Sequence, residues 1–333
     1  MQVQTDEGPV VIIGAGPVGL TAAAHLIQRE VEFVILEKGQ SAGHYVRQWG
    51  QVRMFSPWKY NIDAVSADLL RSNGWEEPNP EAYPTGNELY EHLIAPLAGL
   101  PEINSRLSLG TEVIGISRIG HDRLKSAERE IQPFVVRVRR SDGSLDDILA
   151  RAIIDASGTW GNPKPLGAHG LLALGEDAAR EHVYYGIPDV TGAARDRYAG
   201  KRVAVVGAGD SAFNLLADLV HLKKNSSGTE ILWVLRGALS AGAREVVDQL
   251  PRRGALATGV QRLVELGHIV VCQNFPITGV RTERAGLRLV SGEDFSAIVD
   301  EVICVTGFKP DLQMLTELRL EFDQATEAPA ALG

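Results

Sequence analysis

Short apolar runs followed by amphipathic stretches dominate this chain, and they predict strands alternating with helices. Residues 9–14 (Pro-Val-Val-Ile-Ile-Gly) form a fully apolar run of the kind that sits inside a parallel sheet. Residues 19–28 then place Leu20, Ala23, Ala24 and Ile27 at helical spacing, and residues 31–36 form a second apolar run. Strand, glycine turn, helix and strand in so short a span make a βαβ unit. The pattern returns with a strand over 202–206, a helix over 211–223 and a strand over 230–235. Between the two units, residues 88–97 read as helix, and 110–119, 133–139 and 148–154 as strands. Ser141-Asp142-Gly143-Ser144 supplies hairpin chemistry between the second and third of these. Residues 161–175 are rich in Gly and Pro and read as a linker. Residues 300–306 form another buried strand, and 324–333 an unstructured tail.

Length fits this doubled pattern, since 333 residues at about 150 per domain give two domains. Apolar residues make up 44% and charged residues 23%, which excludes a disordered chain. The net charge of −9 without a basic run argues against nucleic acid and anionic membranes as partners. No run reaches the ~18–20 apolar residues that span a bilayer, and no basic region precedes the first apolar run as in a signal peptide. The two cysteines, Cys272 and Cys304, form neither a Cys-x-x-Cys pair nor a disulfide framework, and a cytoplasmic location is expected. The histidines show no metal-ligand spacing, so no metal is expected.

The excess of glycine, 35 residues, is concentrated where the chemistry lies. Gly14-Ala15-Gly16-Pro17-Val18-Gly19 is a dinucleotide fingerprint between strand and helix. Gly14 permits the tight turn, Gly16 lets the backbone approach a pyrophosphate, and Gly19 lets helix and strand pack closely. The phosphates meet free N–H groups and the positive end of the helix dipole, so an acidic protein can still bind an anionic cofactor. Glu37 ends the second strand about 20 residues on, where its carboxylate accepts ribose hydroxyls and repels a 2′-phosphate. Gly207-Ala208-Gly209-Asp210-Ser211-Ala212 is the second fingerprint, and its second strand ends at Arg236 with no acid until Glu245. A guanidinium there suits the 2′-phosphate of NADPH, with a solvated strand end as the alternative. Ser211 is expected to act as a helix N-cap.

The ends Asp155-Ala156-Ser157-Gly158 and Val305-Thr306-Gly307 flank the second unit. With both fingerprints they resemble the two-dinucleotide-domain flavoproteins, which include flavin-containing monooxygenases and thioredoxin-reductase-like enzymes. Residues 53–57 (Arg-Met-Phe-Ser-Pro) and 83–88 (Tyr-Pro-Thr-Gly-Asn-Glu) resemble the monooxygenase branch, whereas Gly207–Ala212 resembles the thioredoxin-reductase branch. The resemblance implies an α/β fold of two Rossmann-like domains, the second inserted into the first. Residues 1–164 plus 296–333 would bind FAD, and 165–295 NAD(P)H. It adds Pro17, Lys38, Gly43, Arg53, Val113, Ser157, Gly158 and Gly307 to the cofactor-binding residues, and it places His44, Arg47, Trp49 and Trp58 at the isoalloxazine pocket or in an aromatic loop. It implies NADPH reducing FAD, which passes electrons to oxygen or an organic acceptor, with the monooxygenase branch ahead. A non-disulfide reductase and a non-catalytic flavin- or nucleotide-binding protein or fragment are the alternatives. The implied partner is a small-molecule substrate or acceptor, and a homodimer is admitted.

Three departures qualify this picture. The Cys-x-x-Cys pair of thioredoxin reductases is missing. Residues 182–190 (His-Val-Tyr-Tyr-Gly-Ile-Pro-Asp-Val) do not match the monooxygenase fingerprint F-x-G-x-x-x-H-x-x-x-[WF]. No strand–helix pair is expected after Gly307 to close the FAD site.

Overall fold

The structure is a computed structural model that describes residues 8–239 and 251–332. The chain divides into two units, residues 1–162 with 309–333, and residues 163–308. It has the mixed α/β architecture of two Rossmann-like domains, the second inserted into the first. Among the described residues no helix is long and apolar enough to cross a membrane.

The first unit is built on four parallel strands in the order β3-β2-β1-β7: β1 (Val10–Ile13), β2 (Phe33–Leu36), β3 (Leu107–Ser108) and β7 (Ala152–Asp155). Side chains alternate across a strand, so one apolar run feeds two cores. Val10 and Ile12, with Phe33 and Ile35, face α1 (Pro17–Gln28), where Leu20 and Ala23 pack, and α3 (Ala64–Arg71) with its Leu70. Val11, Ile13 and Leu36 face the other way, onto an antiparallel sheet of β4 (Thr111–Arg118), β5 (Phe134–Arg140) and β6 (Leu145–Ala150). Met314 and Leu315, from the segment that returns to this unit, complete that second core. Arg129 holds the segment in place by donating to the carbonyls of His121, Asp122 and Glu317.

The second unit repeats the plan with five parallel strands in the order β11-β10-β9-β15-β8: β8 (Val183–Tyr185), β9 (Arg202–Val206), β10 (Glu230–Val234), β11 (Val270–Cys272) and β15 (Glu301–Cys304). The fingerprint helix Asp210–Asn225 buries Ala212, Leu215, Leu216 and Leu219, and its Phe213 meets Trp233 edge-on. On the other face Ala204, Val206, Leu232 and Val302 pack with Val280, Leu287 and Leu289 of the three-stranded antiparallel sheet β12 (Gly279–Glu283), β13 (Gly286–Ser291) and β14 (Asp294–Phe295).

Four expectations are corrected. Residues 148–154 are not one strand: the run breaks at Arg151, whose N–H donates to the Pro9 carbonyl, and it divides between the antiparallel and parallel sheets. The strand within 300–306 pairs with β9 and β8 in the second unit and not with the first sheet. Asp300 fixes that choice, because its N–H donates to the Arg202 carbonyl at the base of β9 and its carboxylate accepts the Arg202 N–H and guanidinium. The unit boundaries accordingly fall at 162/163 and 308/309, whereas 164/165 and 295/296 were expected. Residues 324–332 are not unstructured: Asp323 accepts from the N–H groups of Ala325 and Thr326, Phe322 bridges Pro329, and a short 3₁₀ turn covers Ala330–Leu332.

Candidate dinucleotide-binding sites

At the first fingerprint the three glycines do different work. Gly14 has φ of +97°, and a Cβ on it would lie 2.6 Å from the Ala156 carbonyl oxygen. The end of β7 therefore passes against the turn. A Cβ on Gly19 would overlap the Gly14 carbonyl oxygen, so that glycine sets how closely α1 approaches β1. Gly16 is different: a Cβ there would meet no atom of the described residues within 4 Å. It is the N-cap of α1, makes no side-chain cap, and is followed by Pro17 at the first helical position. The first-turn N–H groups of α1 thus border open space above Gly16, as an anion cradle requires.

Glu37 lies beside that cradle, only 7% exposed. Its carboxylate accepts the N–H of Ala15 at 2.8 Å and that of Gly39 at 2.7 Å, one on each oxygen. Each oxygen keeps a lone pair for a ribose hydroxyl, so the site's donor and acceptor set fits an adenosine end. Gly43, with φ of +61°, opens the short helix α2 (His44–Gln48) and donates its N–H to the Ala15 carbonyl. Lys38 lies 3.6 Å from Glu112 and over the Tyr45 ring; burial would lower its pKa, but Tyr45 and Glu112 raise it. Val113 sits at a bulge in β4, two residues past Thr111, whose N–H donates to the Glu37 carbonyl. Ser157 is held by its own N–H on Asp155, and Gly158 has φ of +69°.

Arg53 has partners within the first unit. Its guanidinium donates to the Tyr83 carbonyl and lies 3.5 Å from Glu88, so the 53–57 and 83–88 segments meet, with Arg53 bridging Thr85. Glu88 closes a capping box with Thr85; the Thr85 backbone N–H chiefly holds its carboxyl below the usual range, against the effect of burial. Trp58 is a core residue, 3% exposed, whereas His44, Arg47 and Trp49 stay near the surface on and after α2.

The second fingerprint repeats the geometry. Gly207 has φ of +139°, and a Cβ on it would overlap the Val305 carbonyl oxygen, as the first turn is crossed by Ala156. Gly209 again faces no atom of the described residues within 4 Å of its added Cβ, and it is the N-cap of the helix. Ser211 is therefore not the N-cap; it follows Asp210 in the first turn, and Ala212 is buried against the sheet. Arg236 is exposed two residues beyond β10. Glu245 lies outside the described residues. Gly307, with φ of +101°, belongs to the second unit, where its carbonyl accepts from Lys164.

A model of the family described as pyridine nucleotide-disulphide oxidoreductase matches residues 8–328. The chain belongs to this family of FAD-dependent oxidoreductases. Among curated relatives, this chain is 27% identical over 245 residues to a probable indole-3-pyruvate monooxygenase of Arabidopsis thaliana, covering 73% of this chain and 50% of that one. It is 27% identical over 216 residues to a ferredoxin–NADP reductase of Thermus thermophilus, covering 65% and 50%. The chain thus spans about half the length of these curated relatives. Among solved structures, the bacillithiol disulfide reductase of Bacillus cereus shares its fold with a TM-score of 0.71 at 20% identity, covering 97% of this chain and 84% of that one.

Two features of this chain have no counterpart in the motifs. Glu176 is fully buried and accepts the N–H groups of Leu166 and Ala173 and the hydroxyl of Tyr185, at 3.0, 2.7 and 2.6 Å. It organises the glycine-rich stretch read as a linker, and nothing in the local pattern marks it. The two cysteines lie in one cross-strand row, Cys272–Val234–Val206–Cys304. With two strands between them they are separated by about 14 Å, too far for a disulfide.

Proposed function

We propose that this chain is an NADPH-dependent flavoprotein oxidoreductase, with FAD on the first fingerprint and NADPH on the second. The observation that supports this most is the repetition of one cradle geometry with opposite charges at the reading position, Glu37 in the first unit and Arg236 in the second. A carboxylate suits ribose hydroxyls and a guanidinium suits a 2′-phosphate. When bound, the flavin supplies hydride acceptance and electron transfer; the chain binds and orients the two nucleotides. Arg236 is exposed, so salt screening leaves a preference for NADPH of about 1–3 kcal/mol, or roughly ten- to a hundred-fold.

The test is the visible spectrum of purified protein reconstituted with FAD, titrated under nitrogen with NADPH or NADH. Bleaching at lower NADPH concentration is expected, with the gap narrowing at high salt. Arg236→Glu should weaken the response to NADPH. Equal response of the parent protein to both nucleotides would show that Arg236 is only a solvated strand end.

The final acceptor separates two branches. The joined 53–57 and 83–88 segments favour a monooxygenase, and the Gly-Asp-Ser-Ala fingerprint with the ferredoxin–NADP reductase relative favours a reductase that does not act on disulfides. Reoxidation of the reduced protein by an artificial acceptor far faster than by oxygen would support the reductase branch.

A further inference from the structure

Two tryptophans outside the fingerprint residues pack together in the first unit. Trp49 follows α2 and is fixed against Gly86, where an added Cβ would come within 2.7 Å of the indole. Trp160 follows β7, two residues beyond Gly158, and packs on Trp49 with ring centroids 6.3 Å apart and planes inclined at 49°. Its Nε1–H donates to Gln48 Oε1 at 2.9 Å. That bond fixes the amide, because the remaining Gln48 group is the NH₂, which faces His44 Nε2 at 3.2 Å. A half-buried indole is thus held at its N–H and against its neighbour, across a sequence separation of 112 residues.

Strand order indicates what this indole meets. Glu37 stands at the end of β2, Gly14 and Gly16 at the end of β1, and residues 157–160 at the end of β7, in the spatial order β2-β1-β7. Ligands of open α/β sheets bind across the carboxyl ends of the strands, which lie about 4.8 Å apart. A dinucleotide with its adenosine ribose on Glu37 and its pyrophosphate over Gly16 carries its other end toward β7. We propose that Trp160 is a positioning residue for that end, stacking its indole on the isoalloxazine ring of FAD. This rests on the flavin reading above. The contact matches an electron-rich indole with an electron-poor ring in an offset stack, and Gln48 keeps the indole from turning away.

The experiment uses the full chain loaded with FAD and freed of unbound flavin, so that fluorescence is read per bound FAD counted by absorbance. An indole in contact with excited flavin quenches it by electron transfer, which phenylalanine does poorly. The expected result is weak flavin fluorescence in the parent protein, several-fold brighter in Trp160→Phe, with FAD retained because a ring still fills the position. Gln48→Leu keeps the indole but frees it, and is expected to brighten the flavin by a smaller factor; it carries the test if Trp160→Phe does not fold. Unchanged fluorescence per bound FAD in the folded variants overturns the stacking while leaving the flavin reading intact. Failure of the folded parent protein to bind FAD at all overturns the flavin reading, and the inference with it.

Discussion

Glu37 is tied into the fold and is proposed to read the ribose, which makes its removal informative. A buried carboxylate is stable only when its oxygens are hydrogen-bonded, and here the backbone N–H groups of Ala15 and Gly39 do this. Glu37→Ala leaves both donors unpaired and removes the acceptor for the ribose. Apo-protein stability in urea should fall by about 1–3 kcal/mol, and FAD affinity by about ten-fold or more. Unchanged FAD titration in that variant would remove Glu37 from the site. Asp218, on the fingerprint helix of the second unit, makes the opposite case. Burial and then the neighbouring Asp189 carboxylate push its pKa up to about 6, with His221 acting in the other direction. A carboxyl that binds its proton more tightly in the folded state stabilises at low pH. That contribution is lost as pH rises from about 4, through the folded value, to neutrality. Asp218→Asn should therefore raise stability at pH 7 by about 1–3 kcal/mol and flatten the pH dependence of unfolding between pH 4 and 6. An unaltered pH profile would show that Asp218 is ionised without penalty.

The strand–turn–helix element separates the demands of the chain on itself from those of a ligand. Gly19 faces a backbone carbonyl, whereas a Cβ on Gly16 would meet no atom of the described residues within 4 Å. Gly16 also has φ of −79°, which any residue can adopt. Gly16→Ala should unfold in urea within about 1 kcal/mol of the parent protein yet bind FAD poorly, since the added methyl occupies the cradle. Gly19→Ala should lose about 1–3 kcal/mol, because the helix must move off the strand, and should lose FAD as well. Normal FAD binding by Gly16→Ala would mean that no pyrophosphate lies over that glycine. The fingerprint was legible in the sequence because the strand, turn and helix that carry it are contiguous. The Gln48–Trp160 bond was not, because its partners are joined only when β7 pairs with β1.

At the scale of the whole molecule, the inserted unit is one continuous segment between residues that stay together. The Lys309 N–H donates to the Asn162 carbonyl at 3.0 Å, and Asn162 Nδ2 donates to the Pro310 carbonyl. Replacing residues 163–308 by a short Gly/Ser linker should leave a first unit that unfolds cooperatively and binds FAD, but whose flavin NADPH does not reduce. Residues 163–308 alone should also fold, since β15 and the strands it joins are all included. Failure of both pieces to unfold cooperatively in denaturant titrations would contradict the division into units.

The sequence by itself determined the elements that depend on near neighbours. The β1 and β9 runs, the glycine turns, the two fingerprint helices and the Ser141–Ser144 hairpin follow from side-chain volume, backbone freedom and period, all expressed within a few residues. It also placed Glu37 and Arg236 at equivalent strand ends, because the fingerprint spacing counts along the chain. Tertiary structure alone decided which sheet each strand joined. An apolar strand such as 301–304 suits the middle of any parallel sheet, and the choice went to β9 through Asp300 and Arg202, residues 98 apart in sequence. The break at Arg151 was equally hidden, since a single charged residue within an apolar run is also compatible with one continuous strand. Glu176 shows the same limit for polar groups: a carboxylate's partners are set by whichever donors the fold brings to it, and local pattern carries no record of them.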